Sequence, residues 1–423
     1  MSFRNSKKIL IVAESIDIED SSGTKGRVAL IKNLARAGYQ LKVFHYTRKN
    51  IQLEGIECHS IKENRRSILF FLSRMERYTR YYLKLSLHKP LEKMFGFSFT
   101  LFNDRNSIVA GLRNINNFEP DLILTFSKGG SFRPHHALLK MPEWHHKWAA
   151  YIHDPYPMHL YPRPYAWVEP GFYKKWRFMK KMSEAAVITI FPSKLLMEWM
   201  GSYFEGYLKK GKIIPHQIDK STRQPQEHKL PAFFNKDHFN ILHAGNLLWG
   251  RDPRALVSGF LKFLKKHPEA EDESKLLFIG PENHYTLYLK ELSDSNPQLF
   301  LSKASLPFTE TQRLQELTSV NVILEAKSEI SPFLPGKFPH CVKANKPILL
   351  LGPYYSECRR LLGKDYFYWA EVDEEKKIMG LIEELYFKWK ANPAAIELSR
   401  PDLEDYLSQD YLERTMEQIL MET

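Results

Sequence analysis

Short apolar runs and stretches of helical periodicity take turns along almost the whole chain. Lys7–Ala13, KKILIVA, is apolar and β-branched between polar flanks and reads as a first strand. Asp17–Gly26 reads as a loop. Arg27–Ala37 then places Val28, Leu30, Ile31 and Leu34 at helical spacing, and Gly38 stops the helix. Leu41–Tyr46 is the next strand, so the chain opens as a βαβ unit. Asp121–Phe126, Trp148–Ile152 and Ala186–Phe191 are further strands, and Lys212–Pro215 closes the series. Tyr156–Gly171 has no period, is rich in proline and aromatics, and reads as a long ordered loop of the kind that often carries function.

Asp219–Leu230, DKSTRQPQEHKL, is polar and poor in apolar residues, and is the best linker in the chain. A second α/β series follows it. Strands are expected at Phe239–Ala244, Leu276–Ile279, Leu299–Leu301, Val320–Ala326, Ile348–Leu351 and Tyr366–Val372. Helices are expected from Pro253 to about Lys266, over Thr309–Thr318, and over Lys337–Lys343, where Asn345 marks the stop. The organisation is therefore residues 1–218, a linker 219–237, residues 238–400, and a helical tail 401–423 that could pack back on the first domain. Strands and helices alternating on both sides of one linker predict an α/β protein of two doubly wound, Rossmann-like domains facing a cleft. No GxGxxG fingerprint is present, so no dinucleotide cofactor is indicated.

Two stretches carry unusual charge. In Arg65–Lys93, apolar residues such as Ile68, Phe71, Leu72, Met75 and Tyr82 fall near helical spacing, with Arg66, Arg74, Arg77, Arg80 and Lys84 interleaved. Lys62–Lys93 holds nine basic and three acidic residues. Tyr173–Lys181, YKKWRFMKK, repeats the character. A basic, aromatic amphipathic helix is the pattern of an element lying on an anionic membrane. The alternative is a core-packed helix with a solvated charged face, and the pattern leaves both open.

The full chain carries a formal net charge of +12. Residues 1–220 account for the excess, with 36 Lys and Arg against 19 Asp and Glu, or +17, while the remainder has 25 against 30, or −5. An anionic partner for the first half is implied, set against a basic face that merely meets solvent. No nucleic-acid-binding motif accompanies the charge, so no nucleic acid is expected.

No run approaches the length of a transmembrane helix, and Ile9–Ala13 is too short for a signal peptide. Cys58, Cys341 and Cys358 have no metal-ligand spacing and read as reduced thiols. The expected location is the cytoplasm, peripheral on the inner face of the plasma membrane if the basic runs meet lipid.

Ser331–Gly352, SPFLPGKFPHCVKANKPILLLG, organises the second half. A loop punctuated by Pro335-Gly336 leads into a short helix and then a buried strand. The stretch resembles the donor-site segment of glycosyltransferases of the GT-B fold, especially the group-1 (GT4-like) family. HAGNLLWGRDPRAL resembles the start of their C-terminal domain. The resemblance is strong over residues 241–254 and 331–352 and is one of pattern elsewhere.

It implies a retaining, hexosyltransferase-type, metal-independent enzyme, with no cofactor but a UDP- or GDP-sugar as donor substrate. It also implies a donor site at Gly245, Asn246, Arg251, Ser331, Phe333, Leu334, Gly336, Lys337 and His340. Arg251 would hold the diphosphate, with Arg254 in reserve, because a guanidinium matches phosphate oxygens and can stabilise a leaving diphosphate. Asn246 stands where the family has a first basic residue. His340 stands where it has an acidic residue for the donor ribose, and Pro332 where it has a glutamate. A neutral imidazole can accept a hydroxyl's hydrogen bond.

Glu325 and Glu329 lie just before the donor loop and are candidates to replace the missing acidic pair, but neither has the family spacing, so helix-capping or surface roles are the expectation. Gly23, Gly26 and Lys128 are implied at an acceptor or phosphate loop. His153, ending a strand, is implied at the catalytic centre, where an imidazole suits proton transfer near neutral pH, with Asp154 beside it.

The main expectation is a glycosyltransferase acting on a hydroxyl of a glycan or lipid-linked acceptor in cell-surface polysaccharide or glycolipid synthesis. The alternative is a non-catalytic GT-B protein that binds a glycan or scaffolds an assembly, which Asn246 and the missing acidic pair favour.

Overall fold

A computed structural model describes residues 7–47, 49–218 and 230–423. Most of the linker stretch, 219–229, lies outside the described residues. The chain divides into two compact units. Unit 1 comprises Met1–Tyr161, Ala166–Asp219 and Leu407–Thr423, and unit 2 comprises Pro162–Tyr165 and Lys220–Tyr406.

Unit 1 is built on β1 (Lys8–Ala13), β2 (Gln40–His45), β3 (Glu57–Ser60), β4 (Leu122–Phe126), β5 (Trp148–Tyr151), β6 (Ile188–Phe191) and β7 (Gly211–Ile213). They form one sheet in the order β3-β2-β1-β4-β5-β6-β7, all pairs parallel. Parallel strands need crossover connections, and helices then cover both faces. The period of two in β1 shows it. Ile9, Ile11 and Ala13 pack with Val28, Ile31 and Leu34 of the first helix, and with Leu412, Met416 and Ile419 of the last. Leu10 and Val12 face the other way, onto Ile108, Trp148 and Phe178.

Unit 2 repeats the plan with β8 (Phe239–Ala244), β9 (Ser274–Ile279), β10 (Leu299–Leu301), β11 (Val320–Leu324), β13 (Ile348–Leu351) and β15 (Trp369–Ala370). Their order is β10-β9-β8-β11-β13-β15. A two-stranded ladder of β12 (Ile330–Ser331) and β14 (Tyr355–Ser356) stands apart from it. Phe239 and Ile241 face Val257, Phe260 and Ile378, and Leu242 and Ala244 face Leu314.

Three elements depart from the pattern-based reading. The first helix begins at Ser22, not Arg27, because the Ser21 side chain accepts the N–H of Thr24 and starts the helix before its apolar stripe does. Gly23 and Gly26 are therefore helical, not loop, residues. Arg65–Lys93 is two helices, Ile68–Tyr82 and His88–Phe95, broken where Lys84 takes a left-handed φ of 55°. The strand expected over Tyr366–Val372 shrinks to Trp369–Ala370. Among the described residues no helix is long and apolar enough to cross a membrane. Cys58, Cys341 and Cys358 are free and buried.

Gly171 opens the helix Phe172–Ala185 at φ 76°. A Cβ there would overlap the Glu92 carbonyl oxygen and lie 2.7 Å from Gly96 Cα. Both obstacles are backbone, and the φ is one that side chains avoid. Gly171→Ala is expected to cost about 2–3 kcal/mol, read by calorimetry as a Tm lower by roughly 5–10 °C. An unchanged Tm would show that the two helices part without loss.

Candidate functional site

In a doubly wound sheet, ligands gather outside the carboxyl ends of the strands where the strand order reverses. That point falls between β8 and β11 in unit 2, and between β1 and β4 in unit 1.

In unit 2 the loop after β8 runs from Gly245, with φ 136°, through exposed Asn246 to Arg251. Arg251 Nη1 donates to the Asn246 carbonyl at 3.4 Å, so Asn246 supplies a backbone acceptor here rather than a charge. The loop after β11 runs from Glu325 to Lys337. Arg251, Glu325, Ser331, Phe333 and Pro335 line one narrow pocket, together with Arg163 and Tyr165. Leu334 is buried and Gly336 exposed.

Among the described residues Glu325 caps no helix, and it does not face solvent, against the expected capping or surface role. It sits buried just past β11, with Ser331 Oγ donating to Oε1 at 2.9 Å. Burial pushes its carboxyl up to about 7. Glu329 is exposed, as expected.

Lys337 turns its amine inward, and Nζ donates to His243 Nε2 at 2.8 Å. Burial, aided by the Arg251 charge, brings that amine down to about 7. Burial also holds His243 well below its ordinary range, so it is neutral and accepts.

His340 lies on the six-residue helix Phe338–Lys343. Its Nδ1 is 3.1 Å from Gln312 Nε2, and an amide nitrogen can only donate. In that bond Nδ1 accepts, which places the proton of a neutral ring on Nε2.

The Tyr165 hydroxyl reaches the Arg251 guanidinium. A phosphate would compete for the same donors. Tyr165→Phe is expected to tighten nucleoside diphosphate binding by roughly three- to tenfold, the worth of one neutral-partner hydrogen bond. Unaltered or weaker binding in a titration would show that the phenol assists the anion.

In unit 1 the residues following the strands at the reversal also converge. Glu14 follows β1, Tyr46 follows β2, and Lys128 lies two residues past β4. With Asp104, Asp20 and Arg133 they line a cavity of about 450 Å³. Arg133 bridges Glu14 and Asp104, each at 2.7 Å. Tyr46 donates to Asp104 at 2.8 Å. Lys128 is paired with Asp20.

His153 follows β5. Its backbone N–H donates to Ser127 Oγ at 2.9 Å, and its Nδ1 lies 3.2 Å from the same oxygen. Burial and the nearby Arg27 charge push the imidazole well below its ordinary range. Burial thus favours its neutral form near pH 7. Asp154 is pushed up by burial, and the Tyr161 side chain reaches its carboxyl.

Arg27, on the first helix, is buried beside them. It donates to the Ser127 carbonyl at 3.1 Å and to Thr24 Oγ1 at 2.7 Å. Gly26, one residue before it, lies against the His216 ring. A Cβ on Gly23 would lie beside the side chains of Arg27 and Ser21.

Sequence reasoning passed over Arg27, Glu14, Arg133, His243 and Tyr165. A usable signal existed for Glu14, and for the burial of Glu325. Each carboxylate directly follows an apolar strand, at the edge where parallel sheets bind ligands. Among the described residues no cluster of three or more His, Cys, Asp or Glu is arranged to hold a metal ion.

No family model matches the chain, and no curated protein matches it in sequence. Solved structures do match in fold. A glycosyltransferase from Rickettsia africae superposes with a TM-score of 0.62 at 13% identity, over 99% of this chain and 98% of that one. The trehalose-6-phosphate protein of E. coli bound with UDP-2-fluoro glucose gives 0.60 at 10% identity, over 98% and 99%. A UDP-forming trehalose-phosphate synthase from Burkholderia xenovorans in complex with glucose-6-phosphate gives 0.60 at 9% identity, over 98% and 100%. At such identities the likeness carries the fold and not the reaction. This chain has the two-sheet α/β fold of the GT-B glycosyltransferases over its full length.

Proposed function

We propose that the protein is a glycosyltransferase that moves a sugar from a UDP- or GDP-sugar to a hydroxyl of a glycan or lipid-linked acceptor. The transfer would proceed with retention and without a metal, in cell-surface polysaccharide or glycolipid synthesis. The observation that carries the reading is the meeting of the Arg251 guanidinium with the Ser331–Pro335 loop in one pocket at the switch point of unit 2. A fixed guanidinium there can bind a diphosphate and stabilise it as it leaves. Lys337 adds a second cation when protonated. His340 would meet a ribose oxygen by a hydrogen bond.

Unit 1 would bind the acceptor. The Glu14, Asp104 and Asp20 carboxylates of its cavity suit a ligand rich in hydroxyl donors. His153 and Asp154 would position the reacting groups, the neutral imidazole by hydrogen bonding rather than by taking a proton.

The test is calorimetric titration of the whole chain with UDP, GDP and inorganic phosphate, followed by hydrolysis assays on the sugar nucleotides. Micromolar binding of one nucleoside diphosphate, with slow hydrolysis of its sugar conjugate, is the expected result. Absence of nucleotide binding would overturn it. It would favour the second reading, a non-catalytic glycan-binding or scaffold protein, to which the exposed, uncharged Asn246 already points.

A further inference from the structure

We propose that the helices Ile68–Tyr82 and His88–Phe95 of unit 1, together with the start of Phe172–Ala185, form one docking surface for an anionic lipid bilayer. This goes beyond the transferase reading and does not depend on it.

The first helix is turned the wrong way for a core element. Ile68, Phe71, Met75, Tyr78 and Tyr82 follow at steps of three and four, so they share one face. Each is between 58% and 78% exposed. Only Ser73 of that helix is buried. The expectation of a core-packed helix with a solvated charged face thus fails for this segment. Its apolar stripe is in solvent, and Leu83, Leu85 and Leu87 extend the exposed apolar surface past its end. The second helix buries no residue and leaves Met94 and Phe95 exposed. Contiguous apolar surface of this kind on a folded unit marks a site of interaction.

The two basic–aromatic runs, about eighty residues apart in sequence, are neighbours in the fold. Gly96, which caps the second helix, packs on Gly171, which opens Phe172–Ala185. Lys175 bonds Glu92 at 3.2 Å. Exposed Tyr173 thus starts a helix docked against the pair.

Charge decides what covers the stripe. Its three acidic residues are each paired, Glu63 with Arg65, Glu76 with Arg80 and Glu92 with Lys175. Arg66, Arg74, Lys84, Lys89 and Lys93 are exposed around the stripe. Arg74 lies over the Phe70 ring and Lys84 over the Tyr81 ring, the posture of cations whose stems follow apolar surface. Aromatics at headgroup depth with arginines reaching lipid phosphate is the arrangement of an interfacial helix. A second copy of the chain would bring like charges face to face.

The experiment is co-sedimentation of the full chain with two vesicle types, equal-part phosphatidylglycerol and phosphatidylcholine, and phosphatidylcholine alone. Binding is expected to the first, weaker by at least about tenfold to the second, and to fall with added salt. The triple variant Phe71→Gln, Met75→Gln, Tyr78→Gln should lose at least about tenfold in partitioning, with Tm and nucleotide titration unchanged because all three side chains are exposed. Arg74→Gln with Arg80→Gln should weaken binding to the anionic vesicles only. Equal binding to both vesicle types, no binding to either, or full binding by the triple variant would overturn the proposal. So would a concentration-dependent dimer dispersed by that variant, since the stripe would then be covered by a second copy.

Discussion

Arg251→Ala is expected to weaken nucleoside diphosphate binding by roughly 30- to 150-fold, the equivalent of about 2–3 kcal/mol. The guanidinium lies in the loop after β8, in the pocket that also receives the loop after β11. Its bonds to a diphosphate would be charge-assisted, and a planar fork can contact two phosphate oxygens at once. Arg254 cannot replace it. That side chain is exposed and committed to Asp252, with Nε 2.9 Å from both carboxylate oxygens. The fold should survive, because Arg251 is only partly buried, its side chain's bond to the Asn246 carbonyl is long, at 3.4 Å, and its backbone N–H keeps its bond to the Leu248 carbonyl in the alanine variant. Titration of wild type and variant with the preferred diphosphate is decisive. Equal affinities would remove Arg251 from the site, and with it the observation on which the transferase reading rests.

Diphosphate affinity should also fall as pH rises from 6 to 8, by up to about 100-fold if two protons are linked to binding. The sign follows from two groups. The Lys337 amine, lowered to about 7 by burial, is charged at pH 6 and neutral at pH 8. The Glu325 carboxyl, raised to about 7 by burial, is neutral at pH 6 and charged at pH 8. Both groups act electrostatically on Arg251, and both changes make its surroundings more negative as pH passes through 7, which opposes an anion.

The other groups facing them do not reverse the trend. His243 is held neutral by burial. Burial pushes the Cys341 thiol up to about 12 and the Cys358 thiol well above its ordinary range. Each proton accounts for at most about a tenfold change per pH unit. Lys337→Met and Glu325→Gln should therefore each remove about one decade of the dependence. Lys337→Met should weaken binding at pH 6, and Glu325→Gln should preserve it at pH 8. A flat profile in the wild type, or an unaltered slope in Lys337→Met, would show that neither group faces the anion.

The class and the periodic core were legible in the pattern of apolar residues. KILIVA, LILTF, FNILHA and ILLL are apolar runs too short for core helices and bounded by polar or turn residues, so burial in a parallel sheet was the available outcome. Ser331–Gly352 was legible as loop, helix and strand for the same reason, since Asn345 and Pro347 are local signals of chain direction. Local signals also misled. Arg27–Ala37 showed where the first helix becomes apolar, but the bond from Thr24 N–H to Ser21 sets where it starts. Which residues meet follows from packing in three dimensions. Strand order places the reversals at β1/β4 and β8/β11, and no residue periodicity encodes an order of strands. Arg251 meets Glu325 and Ser331 because β8 and β11 lie side by side across a crossover. Burial then sets the chemistry. Lys337 and Glu325 are an ordinary cation and anion as letters, and become groups poised near neutrality only where their surroundings withhold water. The stripe from Ile68 to Tyr82 has helical periodicity whether it faces core or solvent. Periodicity states that a face exists, and only packing states what it faces.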